Sequence, residues 1–210
     1  WSIAASLMCM IFALGSCSGA HFNPAVTVAI SFSGRGKISS ADVGKYIGAQ
    51  LVGGVLASMT YAFMEKGAVF PLQPGAGHTW ISAYLAEMVF TFLLCFVVLC
   101  VATVSGRAGP EPDPSGCQKS LSSFFGLAIG SCVTAGGYAI GAVSGGSLNP
   151  AVSAGIALSS LAGGHGIFHM FIYIIFEILG GIIAAVLFKA THEAEYAKRG
   201  DYGREEIPAA

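Results

Sequence analysis

Charge is what this chain has least of. Asp, Glu, Lys and Arg make up only 10% of its 210 residues, the net charge is −1, and none of the four occurs from Trp1 to Gly34. With 54% hydrophobic residues and a mean hydropathy of +0.72, the chain is too apolar for an ordinary soluble domain. No basic run is present, so a nucleic-acid partner has no electrostatic footprint. Cys9, Cys17, Cys95, Cys100, Cys117 and Cys132 include no Cys-x-x-Cys pair, and most lie in hydrophobic segments. They read as small buried hydrophobes rather than disulfides. No cleavable signal peptide is recognisable; the abrupt start at Trp1, inside a hydrophobic run, reads as a truncation. No motif pairs a nucleophile with a base, which argues against an enzyme and leaves no implied cofactor or metal.

What the chain has instead is glycine and one repeated motif. Its 29 glycines suit membrane helices whose backbones approach closely. Ser18-Gly19-Ala20-His21-Phe22-Asn23-Pro24-Ala25-Val26-Thr27 returns as Ser144-Gly145-Gly146-Ser147-Leu148-Asn149-Pro150-Ala151-Val152-Ser153, with six of ten positions identical. Proline removes a backbone donor and pushes the preceding residue out of the helical region, so no helix runs smoothly through either copy. In lipid, a broken backbone survives only where protein buries it or where it lines a water-filled cavity. Two matching breaks therefore point to a pathway at mid-membrane.

Hydropathy places most of one crossing at 1–16 and further spans at 46–64, 80–104, 120–142 and 166–188, with short apolar runs after each Asn-Pro-Ala to Phe32 and Leu161. Segments 65–79 and 105–119 hold five of the eight prolines and read as loops. If the short runs are re-entrant, Arg35, Lys37, Lys45, Arg107, Lys119, Lys189, Lys198, Arg199 and Arg204 share one face, and only Lys66 lies opposite. The positive-inside rule makes that face cytosolic, with the C-terminus on it. An odd number of full spans separates the motifs, so they enter from opposite faces as an inverted repeat. The expected architecture is an all-α polytopic membrane bundle with two re-entrant half-helices. Residues 1–190 form the membrane domain, with 1–64 in the first repeat and 80–190 in the second. Residues 191–210 form a charged, mobile tail.

Asn is a good N-cap and Pro suits the first helical position, so Asn23-Pro24-Ala25 and Asn149-Pro150-Ala151 are helix starts. Each Asn carbonyl can accept from its own half-helix while the NH2 group donates into a pore. Two positive helix ends facing one point offer donors to water or a hydroxyl oxygen and a barrier to cations and protons.

These motifs, together with Ala86-Glu87-Met88-Val89-Phe90-Thr91-Phe92, resemble those of the aquaporin (major intrinsic protein) family, and in particular its plant tonoplast branch. The resemblance implies six spans, of which the first is missing here, and a homotetramer with one pore per subunit in the vacuolar or plasma membrane. It implies an outer constriction at Ile3, Gly137, Gly146 and Val152. Where a strict water channel carries Arg and His there, this chain has Val152 and Gly137, as in one group of tonoplast channels. Such a ring is wider and less polar, so glycerol, urea, ammonia and hydrogen peroxide join water as expected permeants. Ser153, where dedicated glycerol facilitators carry Asp, argues against that branch.

The resemblance also assigns Glu87 to holding the second re-entrant loop and His21 to shaping the pore mouth. Glu177 stands where the family often has Pro; lining the pore, pairing with a neighbour and lying near headgroups are all open for it. His165 and His169 have i, i+4 spacing but no third metal ligand. Tyr138 and Tyr173 read as packing residues. The alternative to a passive channel is an ion-coupled transporter, which would want charged residues at the breaks, and neither motif is flanked by one. A structural junction role finds no adhesive surface in 65–79.

Overall fold

The computed structural model describes residues 1–104 and 124–196. The expected loop 105–119 with Arg107, Cys117 and Lys119, the Ser120 helix start, and the tail with Lys198, Arg199 and Arg204 lie outside the described residues. Among the described residues seven α-helices follow one another: α1 (Ser2–Ser18), α2 (Pro24–Phe32), α3 (Ser40–Met64), α4 (Trp80–Ala102), α5 (Phe125–Ser144), α6 (Pro150–Ser160) and α7 (Phe168–Thr191). Four of them (α3, α4, α5 and α7) are long and apolar enough to cross a membrane, and α1 is shorter at 17 residues. The bundle is all-α, with α1–α2–α3 and α5–α6–α7 as its inverted halves.

The half-helices α2 and α6 end where the sequence leads one to expect, and their short length follows from the motif that starts each. Elsewhere α1, α3, α5 and α7 each outrun hydropathy at one end, while α4 stops two residues short of it. α3 begins at Ser40 rather than Tyr46 because the Ser39 hydroxyl accepts from the Asp42 N–H, and Lys45 pairs with Asp42 at 3.0 Å. A capped, charged first turn is helical without being apolar. α4 opens on a capping box between Thr79 and Ser82.

Each half-helix packs on the long helix of the other repeat, α2 on α7 and α6 on α3. Glycine makes both crossings possible. A methyl group on Gly181 would stand 2.7 Å from the Ala25 carbonyl oxygen, and one on Gly54 would collide with the Ala151 carbonyl oxygen. α4 packs along α7 and α5, whereas among the described residues no helix takes the matching place beside α3. α7 accordingly buries eight residues and α3 none.

The tail does not become free at Thr191. Residues Glu193–Glu195 form a 3-10 turn, Arg35 reaches Glu195 Oε2 at 3.2 Å, and the Tyr196 hydroxyl donates to the Ser33 carbonyl at 2.7 Å. Arg35 also donates to the Thr103 carbonyl at 3.1 Å and to the Thr103 hydroxyl, and lies 4.2 Å over the Phe188 ring. Expecting mobility from Thr191 onward was wrong for these residues, because a buried guanidinium demands acceptors and the tail supplies one.

Candidate pore site

The two Asn-Pro-Ala segments meet head to head. Asn23 Oδ1 accepts from the Ala25 N–H at 2.9 Å, and Asn149 Oδ1 accepts from the Ala151 N–H at 3.0 Å, capping both half-helices as the motif predicts. The NH2 groups are used differently from the expectation. Asn23 Nδ2 donates to the Leu148 carbonyl at 2.8 Å, and Asn149 Nδ2 donates to the Phe22 carbonyl at 2.9 Å. One hydrogen of each amide thus stitches the opposing loop, and the second remains to donate elsewhere. Phe22 and Leu148 hold φ of 49° and 53°, a left-handed conformation uncommon outside glycine. Their carbonyls are turned to meet the opposite asparagine, which offsets that strain.

Glu87 secures the second loop. Its side chain is fully buried; Oε1 accepts from the Ser144 hydroxyl at 2.7 Å and the Ser147 N–H at 3.0 Å, and Oε2 from the Leu148 N–H at 2.8 Å. Glu177, left open by the sequence, is fully buried against the same segment. Its Oε1 lies within hydrogen-bond distance of the Ser147 hydroxyl (2.8 Å), the Asn149 N–H (3.1 Å) and the Ser153 hydroxyl (2.8 Å). Neither carboxylate neighbours the motif in sequence, yet α4 and α7 bring both to it.

His21 sits at the matching place in the first loop, its Nδ1 3.1 Å from the Thr27 hydroxyl and its ring 5.0 Å from that of Tyr46. Tyr173 is buried and donates to the Ser144 carbonyl at 2.9 Å, whereas Tyr138 is 71% exposed and packs against little. His169 meets the Tyr84 hydroxyl at 2.5 Å and stacks on Trp80. Among the described residues, no three metal-ligating side chains cluster. Cys95 and Cys132 are buried as read, but Cys9 and Cys17 are exposed.

A cavity of about 830 Å³ runs beside the paired motifs, from Ile3 on α1 past Asn149 and Asn23 to Lys37 and Thr103. Ile3 and Val152 both line it. Gly137 and Gly146 lie against each other: a methyl group on Gly146 would be 3.5 Å from the Gly137 Cα, and one on Gly137 would meet nothing.

A long cavity, two half-helices from opposite repeats and their reciprocal Asn-Pro-Ala caps agree with the comparison to known families, in which the major intrinsic protein model matches residues 1–188. The chain belongs to the major intrinsic protein family. An aquaporin named NIP4-1 from Arabidopsis thaliana is 36% identical over 180 residues, 84% of this chain and 56% of that protein. Aquaporin AqpM from Methanothermobacter thermautotrophicus is 36% identical over 206 residues, 90% of this chain and 72% of that protein. This major intrinsic protein thus spans little more than half the length of the plant relative. Its fold is similar to that of the aquaglyceroporin from Plasmodium falciparum, with a TM-score of 0.69 at 21% identity, covering 92% of this chain and 82% of that one. These plant and archaeal relatives do not support the tonoplast branch.

Sequence reasoning missed Gln50, whose Nε2 donates to the Thr27 hydroxyl at 3.0 Å. A signal was present: Gln50-Leu51-Val52-Gly53-Gly54 on α3 repeats as Glu177-Ile178-Leu179-Gly180-Gly181 on α7.

Proposed function

We propose that this major intrinsic protein is a passive channel for water and small neutral solutes that excludes protons and ions at its paired half-helix ends. The reciprocal clasp between Asn23 and Asn149 carries the reading. Each half-helix terminus bears about +0.5 of an elementary charge, and both asparagines line the cavity with an amide hydrogen to spare. A permeant oxygen finds donors there, a cation finds two positive ends, and no chemical step is needed.

Ile3, Gly137, Gly146 and Val152 form the outer constriction in this reading. Without the usual Arg, glycerol, urea, ammonia and hydrogen peroxide follow water; the tonoplast resemblance is confined to this ring. Lys189 and the Arg35–Glu195 strap stand at one end of the bundle, supporting a cytosolic tail. A homotetramer in a vacuolar or plasma membrane belongs to the same proposal, and the family resemblance supports it. The uncovered apolar length of α3 is surface for lipid or a neighbouring subunit.

The buried carboxylates Glu87 and Glu177 at the second motif favour one competing reading, an ion-coupled transporter. Their loop donors account for three of the four oxygens, which speaks for a structural use instead. Liposomes holding the protein, shrunk by an osmotic step in sucrose or glycerol, test the proposal. Fast shrinkage in both, followed by re-swelling in glycerol alone, is expected. Shrinkage no faster than in empty liposomes, or uphill solute uptake driven by a proton gradient, refutes it.

A further inference from the structure

The two repeats use three matching positions, one turn apart on α3 and α7, against the re-entrant loops. Tyr46 and Tyr173 each donate a hydroxyl hydrogen to the carbonyl of the serine that opens the motif of its own repeat: Tyr46 to Ser18 at 2.7 Å and Tyr173 to Ser144 at 2.9 Å. Gln50 and Glu177, four residues on, reach the hydroxyl four residues beyond the capping asparagine: Thr27 for Gln50, Ser153 for Glu177. Gly54 and Gly181, four further, lie against the carbonyls of Ala151 and Ala25 in the other repeat. The residue two before each asparagine completes the match. His21 bonds Thr27 at 3.1 Å, and Ser147 bonds Ser153 at 2.9 Å. Residues four apart on a helix share a face, so each long helix presents one strip with a tyrosine, a polar clamp and a glycine.

We propose that Glu177 is a positioning residue of the second motif, the counterpart of Gln50 in the first, and that it works as a hydrogen-bond acceptor rather than as a charge. Three donors converge on Oε1: the Ser147 and Ser153 hydroxyls and the Asn149 backbone N–H. Oε2 is buried and receives none. A carboxylate used for its charge would have donors or a cation on both oxygens. An acceptor needs one. In the first repeat an uncharged amide fills the same place, its Nε2 donating to the Thr27 hydroxyl at 3.0 Å and its Oε1 standing 3.4 Å from the same oxygen, so the place is filled there without a charge.

The Ser147, Ser153 and Glu177 oxygens form a triangle with two hydroxyl hydrogens for three edges, so it can reorient without leaving a donor unpaired. The Asn149 N–H has no such freedom, and its bond to Glu177 fixes the backbone from which the Asn149 amide points. Glu177 thus acts on permeation through Asn149, without touching the permeant. The inference concerns how the second motif is held, so it does not depend on which solutes pass.

The test is rescue. Glu177→Ala and Glu177→Gln, made in the full chain, are compared in liposomes at equal amounts of folded protein, reading osmotic water permeability and proton leak. Glu177→Ala leaves the Asn149 N–H and one of the two hydroxyls without an acceptor, since Ser153 can still donate to Ser147, and is expected to lower water permeability roughly tenfold. Glu177→Gln keeps an oxygen at the Oε1 position and should restore permeability to within about threefold of wild type, with the proton leak still low. Equal permeability of Glu177→Ala and wild type overturns the proposal. A Glu177→Gln channel as defective as Glu177→Ala also overturns it, because charge would then be what matters. Should Glu177→Ala fail to fold, Ser153→Ala removes one donor and leaves the carboxyl in place. It is expected to lower permeability about two- to fivefold, and wild-type flow through it counts against the clamp.

Discussion

Replacing Glu87 by Gln changes almost nothing in size and should nonetheless damage the channel. Both Glu87 oxygens accept: Oε1 from the Ser144 hydroxyl and the Ser147 N–H, Oε2 from the Leu148 N–H. Gln has one acceptor oxygen, so one of these sites must receive an NH2 group. The cheaper placement puts it at Oε2, where it faces the Leu148 N–H donor to donor in a fully buried position. That forfeits one charge-assisted bond, ~1.5–3 kcal/mol, and weakens two others to neutral strength. Relief from burying a charge offsets part of this, leaving a net cost of ~2–4 kcal/mol. The damage is local to function. Leu148 holds φ at 53° and its carbonyl receives Asn23 Nδ2, so releasing its N–H loosens the clasp from the second side. For a chain of this length the loss corresponds to roughly 5–15 °C in Tm. Thermal unfolding in detergent and osmotic shrinkage of liposomes read the two effects. A Glu87→Gln protein with wild-type Tm and wild-type water flow would refute the reasoning, since a spare acceptor would then have to exist.

Three further outcomes follow from the geometry. Asn23→Ala and Asn149→Ala each lose a cap and a cross-loop bond, so both should cost ~1–3 kcal/mol and cut water flow alike; a large effect from only one would show that the clasp is not reciprocal. Gly54→Ala should destabilise by at least ~1–3 kcal/mol because the methyl meets the Ala151 carbonyl. Its neighbour Gly53→Ala meets nothing within 4 Å and should be near neutral, so equal Tm losses would discredit the helix crossing. Glu195→Ala removes the carboxylate partner of Arg35 and should speed hydrogen exchange at Glu193–Tyr196 while leaving the α2 half-helix protected; unchanged exchange there would mean that the ion pair does not hold the turn.

Much of the architecture was legible because the forces that set it are local. Asn followed by Pro favours a helix start through local geometry alone, and two such starts in a chain with little charge leave few arrangements in lipid. Helix ends were less legible, since hydropathy reports the apolar slab and caps such as Ser39 extend helices past it. Asn23 and Asn149 were read as caps, but not that each would spend a hydrogen on the opposing loop. Glu87 came from family resemblance, and Glu177 could not be placed at all. Nothing in α7 alone says which way residue 177 faces; the packing of α7 on α4 and α2 decides it. The strap of Arg35 on Glu195 spans 160 residues and was invisible for the same reason.

The sequence by itself determined a membrane-spanning, all-α chain, two broken helices and their inverted relation, because composition, chain stiffness at proline and the parity of spans act without knowledge of neighbours. Only the tertiary structure decided that Gln50 and Glu177 both turn onto the hydroxyl beyond their own repeat's asparagine, that the two asparagines clasp opposite loops, and that the tail turns back onto Arg35. Those outcomes depend on which buried donor meets which buried acceptor. In a bilayer an unpaired polar group is costly enough that such pairings, once the helices cross, become the arrangement the chain keeps.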